Sequence, residues 1–142
     1  MFENCFILHV DHGAEVSQLF QRALSVLGFK GRYEFAATVA DAQRLLAGSP
    51  QPPDVVVAES SLRDGASQEL LAWLRQRPDG QKAPVVVYSP AENREAFEAA
   101  FRAGAIGYLL KKNNLDESIH AVRRILEFCR TGGTENPDDS AL

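Results

Sequence analysis

The chain has 142 residues, a formal net charge of −4 and an isoelectric point near 5.4, which fit one acidic domain of ordinary size. An acidic surface has no general attraction to nucleic acid or anionic lipid, so neither is a predicted partner. No apolar run approaches the roughly 20 residues needed to span a bilayer, and the N-terminus lacks a basic segment followed by a long apolar stretch, so we predict a cytoplasmic protein.

The chain alternates short apolar runs with segments of helical period, a pattern that favours a parallel sheet covered by helices. The first apolar run ends at Val10, and apolar residues at three- and four-residue spacing then predict a helix that ends near Gly28. A short strand follows over residues 33–37. Thr38, with Asp41 three residues later, forms a capping box that begins the second helix.

The third strand, residues 54–58, has no polar alternation, which predicts a central position with both faces covered. A polar loop over residues 60–65 leads to a helix that ends before a turn at residues 78–80. The fourth strand ends at Tyr88. The next four residues, Ser-Pro-Ala-Glu, are typical of a helix start, with Ser89 as the N-cap.

A fifth strand over residues 106–110 precedes the last helix. Asn114 begins that helix, and a glutamate three residues later completes a capping box. Residues 131–142 are small, polar and acidic, so we predict a disordered tail or the start of a linker there. Residues 1–130 then form the domain.

The two cysteines, Cys5 and Cys129, stand in apolar patterns near opposite ends of the domain. Neither belongs to a CxxC pair or to a Cys/His set with metal-ligand spacing. We therefore expect both to be small buried hydrophobic side chains in a protein of a reducing compartment.

Side chains suited to phosphoryl chemistry follow four of the predicted strands. Asp11 and His12 follow the first strand, Glu59 the third, Ser89 the fourth and Lys111 the fifth. The carboxyl ends of parallel strands lie at one edge of a sheet, so these five residues should share one pocket.

These strand ends belong to four short motifs: Ile7-Leu8-His9-Val10-Asp11-His12, Pro53-Asp54-Val55-Val56-Val57-Ala58-Glu59, Pro84-Val85-Val86-Val87-Tyr88-Ser89 and Gly104-Ala105-Ile106-Gly107-Tyr108-Leu109-Leu110-Lys111. In this order and spacing they resemble the receiver domain of two-component response regulators, over a region from the first strand to about residue 130. The resemblance implies an α/β, doubly wound, flavodoxin-like fold. Its five parallel strands have the order 2-1-3-4-5, with two helices on one face and three on the other.

The resemblance also implies a chemistry for the pocket. In that family two acidic residues after the first strand and an aspartate after the third hold magnesium, and the aspartate accepts phosphate from a histidine kinase. By position, Asp11 matches the first acid, Ser89 the hydroxyl that binds the phosphoryl group and Lys111 the lysine that does the same. Tyr108 matches an aromatic side chain that turns inward on activation.

Three positions depart from the family pattern. His12 stands where a second acid is expected, Glu59 where the acceptor aspartate is expected, and Lys112 where a proline commonly follows the lysine. Imidazole is a poor substitute for a hard oxygen ligand, so magnesium binding should be weak, at most a degenerate site of Asp11, Glu59 and Ser61. Glutamate also carries its carboxylate about 1.5 Å further than aspartate, which misplaces an acceptor.

Two hypotheses for the function follow from these departures. In the first, the chain is a phosphorylation-independent receiver without enzymatic activity or cofactor. Glu59 then acts as a partial phosphate mimic that accepts hydrogen bonds from Lys111 and Ser89. In the second, it remains a metal-dependent phosphoacceptor that uses Glu59 or Asp11. Flavin binding, a third function of this sheet architecture, is disfavoured because the loop after the first strand is acidic.

Several of these residues also have purely structural interpretations. Asp11 and Ser89 could cap the helices that follow them, and His12 could be an exposed loop residue or a partner of the pocket carboxylates. Tyr108 could be a half-buried strand residue. His9, inside the first strand, is predicted to be a core histidine with a backbone hydrogen-bond partner.

The resemblance implies that partners bind the surface formed by the helix of residues 92–103, the strand 106–110 and the helix 114–130. A protein partner, a second copy of the chain or a histidine kinase are the candidates. Helical spacing predicts four exposed charged residues on this surface: Arg94, Glu98, Arg102 and Arg123.

Overall fold

The computed structural model describes residues 4–62, 65–77, 83–90 and 94–131, and its strands and helices alternate along the chain. In order they are β1 (Phe6–Val10), α1 (Ala14–Val26), β2 (Arg32–Ala36), α2 (Val39–Ala47), β3 (Val55–Ala58), β4 (Ser61–Leu62), β5 (Gly65–Ala66), α3 (Ser67–Gln76), β6 (Val85–Ser89), α4 (Arg94–Ala103), β7 (Gly107–Leu110) and α5 (Leu115–Thr131).

Five parallel strands form the main sheet in the order β2-β1-β3-β6-β7. Counted along the chain without the short β4 and β5, this is the predicted order 2-1-3-4-5, so the fold class is confirmed. Strand β3 lies at the centre, and all four of its residues are buried. Its unbroken apolar run therefore reflects cover on both faces.

Helices pack on both faces of this sheet, as predicted. One face carries the core shared with α1 and α5, and it includes Ile7 and Val57. The opposite face carries the core shared with α2, α3 and α4, and it includes Leu8 and Val56. The alternation of neighbouring residues between the two cores follows from the two-residue period of a strand. Within the described residues, none of the helices has the length and apolarity needed to cross a bilayer.

Two of the predicted N-caps are confirmed. The Thr38 hydroxyl accepts a hydrogen bond from the Asp41 amide at 3.0 Å, and Asn114 Oδ1 accepts one from the Glu117 amide at 2.8 Å. Helix α1 begins differently, because its N-cap is Gly13 and no side chain in the described part of the chain caps it. The capping role considered for Asp11 is therefore wrong.

The predicted loop at residues 60–65 contains a small antiparallel ladder. Strand β4 pairs with β5, and Ser61 lies opposite Ala66. Ser89 is the last residue of β6, and the described part of α4 begins at Arg94. The predicted turn at residues 78–80, the proposed helix start at residues 91–92 and the tail at residues 132–142 lie outside the described residues.

The cysteine prediction is wrong in one respect. Cys5 is buried and Cys129 is partly buried in the core of the α1 and α5 face, but their sulfurs form a disulfide rather than two free thiols. The start of β1 and the end of α5 lie side by side, with 5.6 Å between the two Cα atoms. The two cysteines are 124 residues apart along the chain, so the sequence pattern could not show that they are in contact.

Candidate functional site

The predicted pocket forms at the carboxyl edge of the sheet. Asp11 follows β1, Glu59 follows β3, Ser89 ends β6 and Lys111 follows β7. Asp11, Glu59 and Ser89 are buried, with at most 5% of each residue exposed, and Lys111 is largely buried among them. Parallel pairing of the strands brings these side chains together.

Lys111 bridges the two buried carboxylates. Its ammonium donates to Asp11 Oδ2 at 2.6 Å and to Glu59 Oε2 at 2.7 Å. Burial by itself lowers the pKa of Lys111, but the hydrogen bonds and charges of Asp11 and Glu59 outweigh it and raise that pKa above its ordinary value. Lys111 is therefore a fixed cation over the physiological pH range.

Ser60 connects Glu59 to Ser89. The backbone amide of Ser60 donates to Glu59 Oε1 at 2.7 Å, and its hydroxyl donates to the same oxygen at 3.1 Å. The Ser60 and Ser89 hydroxyl oxygens are 2.7 Å apart. The predicted contact of Ser89 with Glu59 thus runs through Ser60.

Sequence reasoning missed Ser60. It stands next to Glu59 in a polar loop, where neither spacing nor composition distinguishes it from Ser61. Only the backbone path after β3 turns one hydroxyl inward and leaves the other exposed. No signal in the sequence separates the two serines.

Asp11 and His12 have different environments. Asp11 Oδ1 accepts a hydrogen bond from the Gly13 amide at 2.9 Å, which supports the start of α1 from outside the helix. His12 is exposed, as one of its two interpretations predicted. Asp11, His12 and Glu59 can each present one ligand atom within 4.8 Å of the others, whereas Ser61 is exposed in β4.

This set of donors does not fit magnesium as it stands. Both carboxylates already hold the Lys111 ammonium, and their remaining oxygens accept bonds from Gly13 and Ser60. A magnesium ion needs a nearly octahedral shell of oxygen atoms, and His12 would contribute nitrogen. A cation bound here would share both carboxylates with the Lys111 ammonium.

A second polar network lies beneath the pocket. His9 is fully buried, and its Nδ1 lies 2.7 Å from the Tyr33 hydroxyl, which in turn lies 3.0 Å from the Ser17 hydroxyl. The predicted core position is confirmed, but the partner is a side chain rather than the backbone. Burial, followed by the charge of Lys111, lowers the pKa of His9 to about 3, so its ring is neutral.

The other ring nitrogen of His9 faces the pocket. His9 Nε2 lies 3.9 Å from Asp11 Oδ2 and has no hydrogen-bond partner among the described residues. The buried side of Asp11 therefore borders a neutral imidazole, and its strong partner is Lys111.

Tyr108 is fully buried in β7, so its ring is directed into the protein. It packs edge-on against Phe97 of α4, with 5.9 Å between the ring centroids. Tyr108 is a strand residue, as one of the two interpretations from sequence had it, but it is fully rather than half buried. Its role as an aromatic switch stays a prediction.

A cavity of about 350 Å³ opens beside the pocket, between the first turns of α1 and α5. Its polar wall includes Asp11, Glu59 and Lys111, and its apolar wall includes Val16 and Leu19. The pocket is therefore accessible from the surface on the side of α1.

The parallel sheet of five strands, its helices on both faces and its carboxylate, hydroxyl and lysine groups at one edge define a doubly wound, flavodoxin-like signalling domain. The chain belongs to the family of the response regulator receiver domain, whose model matches residues 7–123. It is thus a receiver domain of two-component signalling. The predicted family and fold are confirmed, whereas the atypical function stays a prediction.

Curated relatives agree with this assignment. The chain is similar to response regulator Rcp1 of Synechocystis sp., with 26% identity over 119 residues that cover 84% of this chain and 71% of Rcp1. It is also similar to response regulator MprA of Mycobacterium sp. strain KMS, with 31% identity over 136 residues. That match covers 96% of this chain but only 56% of MprA.

Solved structures show the same fold. The Mn(2+)-bound form of Rcp1 has a TM-score of 0.75 and 25% identity, over 87% of this chain and 93% of that one. The phosphorylated cyanobacterial phytochrome response regulator RcpA has a TM-score of 0.81 and 22% identity, over 92% and 97% of the two chains.

Proposed function

We propose that this receiver domain signals by protein contact without being phosphorylated, and that Glu59 takes the place of the phosphorylated aspartate. The observation that carries the proposal is the 2.7 Å hydrogen bond from Lys111 to Glu59. In the family that the chain resembles, the matching lysine binds the phosphoryl oxygens. In this chain the Glu59 carboxylate already accepts a hydrogen bond from that lysine.

Glu59 already accepts hydrogen bonds at both carboxylate oxygens, and this supports a side chain that does not accept phosphate. One of its oxygens accepts a hydrogen bond from Lys111 and the other accepts from Ser60, so both oxygens have protein donors. A carboxylate that must attack phosphorus has to give up such bonds and needs a cation to neutralise the transferring group. Lys111 is a weaker neutraliser than a divalent ion because it carries one charge.

The position of Tyr108 is consistent with a pocket held in an activated arrangement. The resemblance associates activation with an inward ring at this position, and Tyr108 is fully buried against Phe97. The mimic is partial, since a carboxylate carries one negative charge and a phosphate nearly two. We infer that Glu59 biases the domain toward its signalling form.

The test is an NMR titration with magnesium and beryllium fluoride, an analogue of the acyl phosphate. We expect no saturable shift of the Glu59, Ser60 and Lys111 amide signals. A saturable shift centred on Glu59 would support the metal-dependent phosphoacceptor instead. That alternative has to be tested directly, because the similar protein Rcp1 has a Mn(2+)-bound form.

A variant that restores the family pattern is the positive control. The double substitution His12→Asp and Glu59→Asp supplies the second acid and the shorter acceptor, so we expect this protein to respond to beryllium fluoride. If neither protein responds, the two departures are not the cause of the inert pocket. If both respond, the proposal is wrong.

We further propose that partners bind the surface of α4, β7 and α5. Strand β7 is an edge strand of the sheet, and α4 and α5 flank it on opposite faces. All four charged residues predicted to be exposed there are exposed: Arg94, Glu98, Arg102 and Arg123. They give this surface mixed charges that suit a protein partner or a second copy of the chain.

Self-association measured by sedimentation separates these two partners. If the chain dimerises through this surface, Arg102→Glu on α4 should weaken the dimer, whereas Arg22→Glu on the exposed side of α1 should not. Equal effects would place the dimer contact elsewhere. A monomer at every concentration would leave a separate protein, such as a histidine kinase, as the partner. Location in the cytoplasm and the absence of enzymatic activity stay predictions.

A further inference from the structure

We propose that Cys5 and Cys129 are a thiol–disulfide modification site that fixes the end of α5 to the start of β1 under oxidising conditions and releases it under reducing ones. We call this pair the α5 latch. Its disulfide joins residues 124 positions apart, and their Cα atoms are 5.6 Å apart, a normal spacing for a disulfide. The proposal is independent of the function proposed for Glu59.

The position of the latch gives it a structural effect. Cys5 directly precedes β1, and Cys129 lies near the end of α5, two residues before its last residue. Most of α5 is held by apolar contacts of Val122, Ile125 and Leu126 with the sheet and α1. The last turn of a helix is the part that is most prone to fraying. A covalent bond at Cys129 therefore acts in the turn of α5 that is most prone to open.

The two cysteine residues differ in exposure, and this difference sets the order of the chemistry. Cys129 is partly exposed, whereas only 6% of Cys5 is exposed. An external thiolate, such as that of glutathione, attacks the Cys129 sulfur, and the Cys5 sulfur leaves as a thiolate and takes up a proton. A second glutathione then releases Cys129, giving two protein thiols and one glutathione disulfide.

Oxidation reverses these steps. The Cys129 thiolate attacks glutathione disulfide and expels one glutathione, and the Cys5 thiolate then attacks the Cys129 sulfur and expels the second. The protein loses two electrons and two protons, and glutathione disulfide gains them. Because most lasting disulfides occur in oxidising compartments, the predicted cytoplasmic location favours a bond that opens and closes.

Mass spectrometry after alkylation tests the reversibility. The folded protein is equilibrated in glutathione buffers of increasing reduced-to-oxidised ratio, then quenched with acid, denatured and alkylated. The count should change from no alkylated cysteine to two, and it should change back when the ratio is reversed. A disulfide that stays closed in reduced glutathione alone would be a static structural bond. Cysteines that never pair would also overturn the proposal.

A matched pair of variants tests the order of attack. Cys5→Ser leaves the accessible thiol and should take up one glutathione at Cys129, whereas Cys129→Ser leaves the buried thiol and should stay unmodified. Equal modification of both variants contradicts the proposed order.

Hydrogen exchange tests the structural effect. Reduction should speed amide exchange in the last turn of α5 at least about tenfold and leave the amides of Glu59 and Lys111 unchanged. The melting temperature should fall by roughly 10 °C, because opening the long loop increases the entropy of the unfolded chain. Reductant should have no effect on Cys5→Ser. Identical exchange in the oxidised and reduced proteins would mean that the bond controls nothing in α5.

Discussion

The ammonium of Lys111 donates one hydrogen bond to a carboxylate oxygen of Glu59 at 2.7 Å and a second one to Asp11 at 2.6 Å. These three side chains thus form one buried cluster, whose net charge is about −1 when all three are ionised. Neither carboxylate has another cation within bonding distance in the described residues. The stability of the pocket therefore depends on this lysine.

Replacing Lys111 by methionine removes the cation and keeps the length of the side chain. Two buried carboxylates then face each other without compensation, and the free energy of unfolding should fall by about 3–5 kcal/mol. Urea denaturation measures this loss. Lys112→Met is the matched control, because Lys112 is exposed and should change the stability by less than about 0.5 kcal/mol.

The same position allows a rescue experiment. Adding Glu59→Gln to Lys111→Met removes one of the two opposed charges, so the double variant should recover part of the lost stability. If the double variant is the less stable of the two, repulsion between Asp11 and Glu59 is not the source of the loss.

Ser60→Ala removes the hydroxyl that links Glu59 to Ser89. We expect the free energy of unfolding to fall by about 1–3 kcal/mol, because Glu59 Oε1 loses one of its two donors from Ser60 and keeps only the amide. Denaturation in urea is again the measurement. Ser61→Ala is the neighbouring control at an exposed position and should have little effect. Equal losses in both variants would contradict the bridging role of Ser60.

The fold was predictable because its signals are local and repeated. The unbroken apolar run of β3 indicated burial on both faces, and the capping boxes at Thr38 and Asn114 marked helix starts to within one residue. Strand ends of a parallel sheet converge by geometry alone, so the meeting of Asp11, Glu59 and Lys111 followed from the order of the strands.

The details that sequence reasoning missed depend on the tertiary path of the backbone. The link through Ser60 requires the turn after β3, and the disulfide of Cys5 and Cys129 requires two ends of the chain to lie side by side. The partner of His9 is Tyr33 on the neighbouring strand, which only strand pairing brings close. No periodicity or spacing encodes such contacts.

Two glycines with positive φ allow a comparison of backbone strain. Gly28 has φ +76° and open space where a Cβ would stand, so Gly28→Ala should cost only the strain of about 1 kcal/mol. Gly104 has φ +109°, and an added Cβ would overlap the guanidinium of Arg75, which donates to the Gly104 carbonyl. Because φ +109° lies further than +76° from the left-handed minimum at about +57°, Gly104→Ala should cost more, about 2–3 kcal/mol.

Arg75→Ala separates the two parts of that cost. Because the exposed guanidinium can move away, the double variant of Arg75 and Gly104 should be about as stable as Gly104→Ala alone in a thermal melt. If the double variant regains the stability of wild type, the overlap with Arg75 and not the backbone conformation causes the loss.

His9 should make the stability depend on pH in the acidic range. Its pKa is lowered from 6.5 to about 3, mainly by burial, so below pH 6.5 the unfolded chain binds a proton that the native protein does not. The stabilisation due to neutral His9 is therefore complete above pH 6.5. It is lost as the pH falls toward 3, at up to about 1.4 kcal/mol per pH unit.

His9→Gln should reduce this slope between pH 6 and 4 in urea denaturation, whereas His120→Gln at an exposed position should keep it. A slope that is unchanged in His9→Gln would mean that the native protein protonates this ring as readily as the unfolded chain does.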